Sequence, residues 1–283
     1  MTVACDQRLF FDPQGQKPPV FFLHIPKTAG SSNNHFLRGL YGAHNFQDHA
    51  ENLLPDLTTG RAGVLRVDCV SGHIPLWAWH LYPGAERYKR VTLLRDPWAR
   101  LVSHVNWVNQ FNHGMRLPRH GPGAGALAHM VGVIADTDFE NRTSLGHLFE
   151  QANALQYFSS FDNYQTRMLR QGAMDAMEKR LTMADLDVAC TALSGFYHFG
   201  FCEDQAGFQQ GLLRKLSLPA TPQKIQANQA RTKVLTPDND IAHQVFAPWL
   251  EYDQALVGFA RGLMRGGGMQ RSGYNARQPM SRR

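Results

Sequence analysis

The residues of this chain that are best suited to hold an anion follow an apolar run over residues 20–25. Pro26 ends the run, Lys27 comes next, and small residues follow, namely Thr28, Ala29, Gly30, Ser31 and Ser32. Such a run is typical of a strand buried on both faces, and Ser31 or Ser32 is predicted to cap the helix after it. Unpaired backbone N–H groups at a helix start attract anions. The stretch therefore predicts a phosphate-binding turn in which Lys27 supplies positive charge.

Two further polar groups follow two further apolar runs. Ser71-Gly72-His73 comes directly after a strand predicted over residues 64–70. Arg95-Asp96-Pro97 comes directly after a strand predicted over residues 90–94. Aspartate and proline in this order are typical of an N-cap and the first residue of a helix. The strand at 90–94 is therefore predicted to lead straight into a helix.

The alternation of predicted strands and helices indicates an α/β fold, with a P-loop-like parallel sheet flanked by helices. A further strand is predicted over residues 196–201, and the C-terminal half is otherwise predicted to be mostly helical. Helices are predicted over residues 31–41, 74–81, 204–216 and 238–265, the last interrupted at Pro248. Ligands of such sheets bind beyond the carboxyl ends of the strands. All three polar groups fall at such ends.

Residues 1–265 are predicted to form one domain, because neither a linker nor an internal repeat divides them. Residues 109–141 are rich in glycine and contain several histidines and prolines, and we interpret them as an irregular insertion that acts as a lid or an acceptor-binding loop. Residues 266–283 contain four arginines and no acidic residue, and they are predicted to be a flexible basic tail.

The composition, with 11% aromatic and 18% charged residues, is that of a globular protein. The tail holds four of the six net positive charges, so we predict no nucleic-acid partner for the rest of the chain. Neither a membrane span nor a signal-peptide core is present, which predicts a soluble, cytoplasmic protein. The four cysteines lack a CxxC pair and the 13 histidines lack an HxxxH or HExxH pair, so we expect reduced thiols and no metal site. No sequence feature indicates an oligomeric state.

Two of the motifs resemble those of a known family. Pro26-Lys27-Thr28-Ala29-Gly30-Ser31-Ser32 resembles the 5′-phosphosulfate loop of sulfotransferases that use 3′-phosphoadenosine 5′-phosphosulfate (PAPS). Arg95-Asp96-Pro97-x-x-Arg100-x-x-Ser103 resembles their 3′-phosphate motif. The chain is most similar to carbohydrate O-sulfotransferases, the heparan sulfate 2-O-sulfotransferase and its bacterial relatives. Weaker similarity extends over most of residues 19–265, but not over the insertion at 109–141.

The resemblance implies that Lys27 contacts the 5′-phosphosulfate with the support of residues 28–32, and that Arg95 and Ser103 hold the 3′-phosphate. The chemistry of these side chains suits the roles. Negative charge grows on the leaving phosphate during sulfuryl transfer, and a lysine on a flexible stem can follow it. An arginine fork holds a phosphate still. Arg231 and Thr232 are predicted to close over the nucleotide.

His73 is the predicted general base. It lies where the 2-O-sulfotransferase branch carries a catalytic histidine in a His-Gly-His element, although Ser71 replaces the first histidine here. An imidazole titrates near neutrality, which suits removal of a proton from an alcohol. The plainer interpretation is that His73 only satisfies a strand end, as His24 is predicted to be a core histidine. Lys27 could likewise be an exposed turn lysine, and Ser103 a packing residue.

The resemblance thus implies transfer of a sulfuryl group from PAPS to a hydroxyl, with a carbohydrate as the leading acceptor and adenosine 3′,5′-bisphosphate as product. A lipid or a small metabolite would fit the same chemistry. No metal is expected, since the sulfuryl group carries less charge than a γ-phosphoryl and no GxxxxGK[ST] motif is present. The alternatives are a kinase-like phosphotransferase that uses ATP, and a polyanion-binding protein that uses the arginine tail. Arg167 and Glu203 are predicted to form a buried pair.

Overall fold

A computed structural model describes residues 17–61, 63, 65–117, 124–155, 157–170, 180–219 and 232–266 of the chain. The strands are β1 (Val20–Leu23), β2 (Phe46–Gln47), β3 (Cys69–Gly72), β4 (Lys89–Leu94) and β5 (His198–Phe201). The helices are α1 (Gly30–Tyr41), α2 (Leu54–Thr58), α3 (Leu76–Trp79), α4 (Pro97–Asn109), α5 (Ala124–Asp136), α6 (Arg142–Ala154), α7 (Tyr164–Leu169), α8 (Met183–Ser194), α9 (Gln205–Lys215), α10 (Asp240–Phe246) and α11 (Glu251–Gly266). The tail from residue 267 onward and Arg231 lie outside the described residues.

The five strands form one parallel sheet in the order β2-β3-β1-β4-β5, so the predicted α/β fold class is confirmed. β1 lies at the centre, and its four residues are completely buried. From β1 the chain runs to β2 and β3 on one side, and it then crosses to β4 and β5 on the other. The boundary between β1 and β4 is therefore the point where the strand order reverses, which is where sheets of this type bind ligands.

Helices cover both faces of the sheet, as continuous apolar strands require. Helices α1 and α9 pack on the face that carries Val20 and Phe22. Helices α3, α7, α8 and α11 pack on the face that carries Phe21 and Leu23. A third apolar cluster lies beside the sheet, where α4, α5, α6 and α10 pack together.

The prediction of an irregular insertion over residues 109–141 is wrong for much of its length. Residues 124–136 form α5, whose buried side chains Leu127, Met130, Val131 and Ile134 recur at helical spacing. Gly125 suggested a loop, but it lies on an open position of the helix, as does Gly132, and an added Cβ at either would meet nothing within 4 Å. Residues 118–123, the part richest in glycine and proline, lie outside the described residues.

Two strand predictions also need correction. The strand predicted over residues 64–70 begins later, because β3 pairs with β1 from Cys69 to Gly72 and residues 65–68 form no ladder. The two-residue strand β2 was not predicted, since so short an edge strand has no sequence period. The other strands and helices agree with the predictions within a few residues, and Pro248 falls in a 3₁₀ turn between α10 and α11.

Cys69, Cys190 and Cys202 are free thiols. Among the helices of the described residues, none has the length and apolar character needed to cross a bilayer.

Candidate active site

The three predicted polar groups meet at the carboxyl edge of the sheet, because β3, β1 and β4 are adjacent and parallel. The turn after β1 carries Lys27, the turn after β4 carries Arg95, and His73 follows β3. These elements bring together residues that lie up to 68 positions apart in the chain, the separation of Lys27 and Arg95.

The turn from β1 to α1 is open. Lys27 and Ala29 both have left-handed backbone conformations, with φ of 71° and 65°. Ala29 is the N-cap residue and no side chain caps the helix, so the prediction that Ser31 or Ser32 caps it is wrong. The left-handed Ala29 starts the helix earlier, and both serines lie in its first turn. The first N–H groups of α1 are therefore not taken up by a side-chain cap.

The residues around this turn hold it in place. The Thr28 hydroxyl is buried and donates to the carbonyl of Ile25 at 2.8 Å. The Asn33 side-chain amide donates to the carbonyl of Ala29 at 3.0 Å. Gly30 lies against the His24 ring, where an added Cβ would lie 1.6 Å from Nε2. Only glycine fits there, and this steric limit explains why the motif has glycine at position 30.

Lys27 is partly buried, and its Nζ lies over the indole of Trp107 at 5.4 Å from the ring centroid. Burial, together with the smaller effect of the nearby guanidinium groups of Arg95 and Arg100, lowers the pKa of Lys27 to about 8. An anion bound between these groups would offset their repulsion. A negative ligand bound here would therefore raise the pKa of Lys27 and favour its charged form.

The turn from β4 to α4 is closely braced. The carboxylate of Asp96 accepts from Ala99 N at 2.9 Å, which confirms the predicted N-cap. The side-chain amide of Gln165 bridges the backbone of Arg95: its Oε1 accepts from Arg95 N and its Nε2 donates to Arg95 O, both at 2.9 Å. The N–H of Asp96 donates to Glu203 at 3.0 Å. The backbone of Arg95 is therefore fixed on both sides.

The Arg95 side chain connects the two turns. Its Nη1 donates to the carbonyl of Lys27 at 3.0 Å. Among the described residues, no hydrogen-bond partner is found for the other guanidinium N–H groups of Arg95. Glu203 contacts Asp96, and Arg167 pairs instead with Asp162, so the predicted Arg167–Glu203 pair is wrong.

Ser103 lies on α4, and the segment that follows Thr232 is held against the same helix. Ser103 is partly buried on α4, one turn from Trp107. Asn106, also about one turn from Ser103, holds residues 234 and 235 against α4 through three hydrogen bonds of 2.7 to 3.2 Å. Thr232 lies two residues before this anchor, and its buried hydroxyl has no hydrogen-bond partner among the described residues. Arg231, the other residue predicted here, lies outside them.

Arg100 belongs to the motif that contains Arg95, but the sequence did not indicate that it is completely buried. Its guanidinium is completely buried, and its Nη2 donates to the carbonyl of Ser160 at 2.9 Å. Its Nε and Nη1 have no partner among the described residues, and the group lies over the Tyr164 ring. Burial lowers the pKa of Arg100, and Asp253 opposes the shift. Within the described ranges, none of Lys27, Arg95 and Arg100 forms an ion pair with a carboxylate.

His73 is held by Nδ1, and its Nε2 has no hydrogen-bond partner among the described residues. Its Nδ1 lies 2.6 Å from the carbonyl oxygen of His24, and because a carbonyl only accepts, Nδ1 must carry the proton. Nε2 of the neutral ring then has its lone pair available. Burial lowers the pKa of His73, and the Glu51 carboxylate opposes this effect. A neutral imidazole with an unprotonated Nε2 is the form that a general base needs.

His24 lies beside His73. The two rings lie 4.2 Å apart, and burial lowers the pKa of His24 well below its ordinary value. Ser71, which stands where the resembling branch has a histidine, is buried and donates to the Asn34 side chain at 2.6 Å. This serine therefore stabilises α1 against β3.

Among the described residues, no group of three or more histidine, cysteine, aspartate and glutamate side chains could hold a metal ion. Comparison of the chain with models of protein families and with curated proteins found no match to either.

Proposed function

We propose that this chain is an O-sulfotransferase that takes a sulfuryl group from PAPS and releases adenosine 3′,5′-bisphosphate. The observation that carries the proposal is the 3.0 Å hydrogen bond from Arg95 Nη1 to the Lys27 carbonyl. It joins the two turns that the resemblance assigns to opposite ends of one nucleotide. A ligand with a phosphate at each end of a nucleoside would need a cationic side chain on each of two neighbouring turns, and Lys27 and Arg95 supply these two groups.

The residues present fit such a donor. Lys27, the uncapped N–H groups of α1 and the hydroxyls of Ser31 and Ser32 would hold the 5′ end, with Thr28 and Gly30 shaping the turn. Arg95 and Ser103 would hold the 3′-phosphate. The unpartnered hydroxyl of Thr232 supports its assignment to the same end. Neither Lys27 nor Arg95 forms an ion pair with a carboxylate among the described residues, which favours a ligand that carries several negative charges.

The donor would supply an activated sulfuryl group, and residues of the chain would remove the acceptor proton and stabilise the leaving group. His73 would accept the proton of the acceptor hydroxyl on Nε2, since Nδ1 is engaged with His24. Lys27 would stabilise the negative charge that develops on the departing phosphate. Its side chain is not locked by an ion pair with an acid among the described residues, so it can move with that charge.

The acceptor is a hydroxyl compound, and we propose a carbohydrate on the strength of the resemblance. The most informative test is a screen of carbohydrate, lipid and small-metabolite alcohols with ³⁵S-labelled PAPS in the presence of EDTA. Transfer of label to an acceptor is expected for the wild-type protein and for Lys89→Ala, an exposed lysine at the amino end of β4. Transfer from labelled ATP in magnesium, with none from PAPS, would instead identify a phosphotransferase.

A further inference from the structure

We propose that Glu51 is the positioning residue of His73 and interacts electrostatically with its ring. As far as catalysis is concerned, this inference rests on the proposed function. The electrostatic part concerns two side chains only and can be measured without any substrate.

Glu51 holds the backbone of His73. Its Oε2 accepts from the His73 backbone N–H at 2.9 Å, and its Oε1 lies 3.0 Å from His49 Nδ1. Only 18% of the Glu51 side chain is exposed. Since the His24 carbonyl fixes the His73 ring at Nδ1, the residue is restrained at both its backbone and its side chain. Together these bonds determine where Nε2 lies.

The absence of a side chain at Gly72 leaves space for the Glu51 carboxylate. Glu51 belongs to a 3₁₀ turn, Ala50–Leu53, that packs on the end of β3. A Cβ on Gly72 would lie 2.9 Å from Glu51 Oε2 and 2.8 Å from Ala50 N. Position 72 therefore has to be glycine for Glu51 to reach the His73 N–H. This gives a physical reason for the glycine of Ser71-Gly72-His73 that the sequence alone does not supply.

The charged and titratable groups around His73 come from three elements. Lys27 and His24 face it from the turn after β1, and Glu51 and His49 face it from the segment before α2. Tyr164 of α7 faces Glu51. Burial, His49 and Lys27 lower the pKa of His73, whereas the Glu51 carboxylate raises it. Among the described residues that act on His73, Glu51 is the one negative group.

The test is the variant Glu51→Gln, which keeps the shape and one acceptor oxygen but removes the charge. We expect the pKa of His73, followed by the NMR signal of its Cε1–H, to fall relative to wild type, because the imidazolium loses its negative neighbour. A His73→Asn variant assigns the signal. The matched control is Glu150→Gln, which removes the acid of an exposed histidine–glutamate pair on α6 at 3.2 Å. It should leave the His73 titration unchanged.

A second variant acts in the opposite direction. His49→Gln removes a group that lowers the pKa of His73, and this residue is exposed, so the fold should tolerate the change. We expect the His73 titration to move to higher pH. An unchanged midpoint in both Glu51→Gln and His49→Gln would overturn the electrostatic part of the proposal.

The catalytic part has its own readout. In Glu51→Gln the acid limb of the kcat profile should move to lower pH, and kcat on its plateau should fall by roughly tenfold to a hundredfold, because a small misplacement of a base is costly. A lower kcat with an unmoved acid limb would show that Glu51 is only structural. If the wild-type protein transfers no sulfuryl group while the NMR shift is present, the proposed function fails and the electrostatic coupling stands.

Discussion

The two turns that meet at the edge of the sheet are built in opposite ways. The turn after β1 has two non-glycine residues in left-handed conformations and no side-chain cap on its helix. The turn after β4 has an aspartate cap, a proline in the first turn of its helix and a glutamine that bridges Arg95 on both sides. The first turn leaves the N–H groups at the start of α1 without a side-chain cap, whereas the second has the N–H and carbonyl of Arg95 and the N–H of Asp96 paired with side chains.

This difference suits two tasks at one nucleotide. A group that follows charge through a reaction has to keep freedom to move, whereas a group that only anchors its ligand gains from being held. Lys27 belongs to the open turn and Arg95 to the braced one. We therefore expect Lys27 to act in transfer as well as in binding and Arg95 to act mainly in binding, and variants of the two turns should differ in the same way.

The largest effect is expected from Lys27→Ala. Loss of the cation that faces the developing phosphate charge should lower kcat by roughly a hundredfold to a thousandfold. The melting temperature should not fall, because a partly buried ammonium without an ion-pair partner among the described residues contributes little to the fold. The measurement is the initial rate with labelled PAPS, with Lys89→Ala as the control. A rate close to wild type would remove Lys27 from the transfer step.

Arg95→Ala should act on binding more than on transfer. We expect the Kd of adenosine 3′,5′-bisphosphate to rise by about a hundredfold, since a charge-assisted, forked contact is lost. The affinity for adenosine 5′-monophosphate, which has no 3′-phosphate, should fall much less in this variant. Arg90→Ala changes an arginine at the other end of the same strand and should leave both constants unchanged. Equal losses for the two nucleotides would contradict the assignment of Arg95 to the 3′ end.

Gln165→Ala tests whether the bracing matters. It leaves the N–H and carbonyl of Arg95 without their partners, which should cost about 1–3 kcal/mol in the free energy of unfolding. The affinity for adenosine 3′,5′-bisphosphate should fall as well. Asn239→Ala, which removes the buried cap of α10, should cost similar stability and leave the affinity intact. Urea unfolding and calorimetry make the comparison, and an unchanged affinity in Gln165→Ala would show that the brace serves the fold alone.

The open turn should also give the affinity a pH dependence. In the free protein the pKa of Lys27 is lowered from its ordinary value of 10.5 to about 8. Above pH 8 the affinity for adenosine 3′,5′-bisphosphate should fall, by up to about tenfold per pH unit. The effect of Lys27 on the stability of the free protein has the opposite sign. Between the two pKa values the unfolded state binds more protons than the folded state, so the free energy of unfolding rises with pH. Lys27→Ala should abolish the pH dependence of binding in this range.

The smallest effect is expected from Ala29→Gly. Ala29 has φ of 65° and ψ of 26°, a conformation that costs alanine about 1–2 kcal/mol and glycine almost nothing. Part of this gain is cancelled because glycine has more freedom in the unfolded chain. The variant should therefore be more stable by less than about 1 kcal/mol in urea unfolding. A clear loss of stability would show that the backbone of the turn is not under this strain.

The sequence predicted the elements of the site better than its contacts. The strands at β1 and β4 were predictable because buried parallel strands are continuous apolar runs, and Asp96 and Pro97 marked the start of α4. The cap of α1 was not, because the left-handed Ala29 depends on how the turn is held by Thr28 and Asn33.

The residues that support the site were not predictable for a similar reason. Gln165 and Arg95 are 70 positions apart, and Glu51 and His73 are 22 apart. No local pattern marks such pairs, since they arise from the packing of α7 and of the 3₁₀ turn at Ala50–Leu53 against the sheet. Arg100 was visible in a motif, but its burial and its unpartnered nitrogens are properties of the folded chain.

The most direct test of the account is calorimetric binding of adenosine 3′,5′-bisphosphate to the wild-type protein in EDTA, compared with adenosine 5′-monophosphate under the same conditions. Two phosphate-binding turns on one nucleotide predict that the bisphosphate binds about a hundredfold more tightly, without metal. Equal affinity for the two nucleotides, or binding of neither while ATP binds with magnesium, would contradict the proposed sulfotransferase.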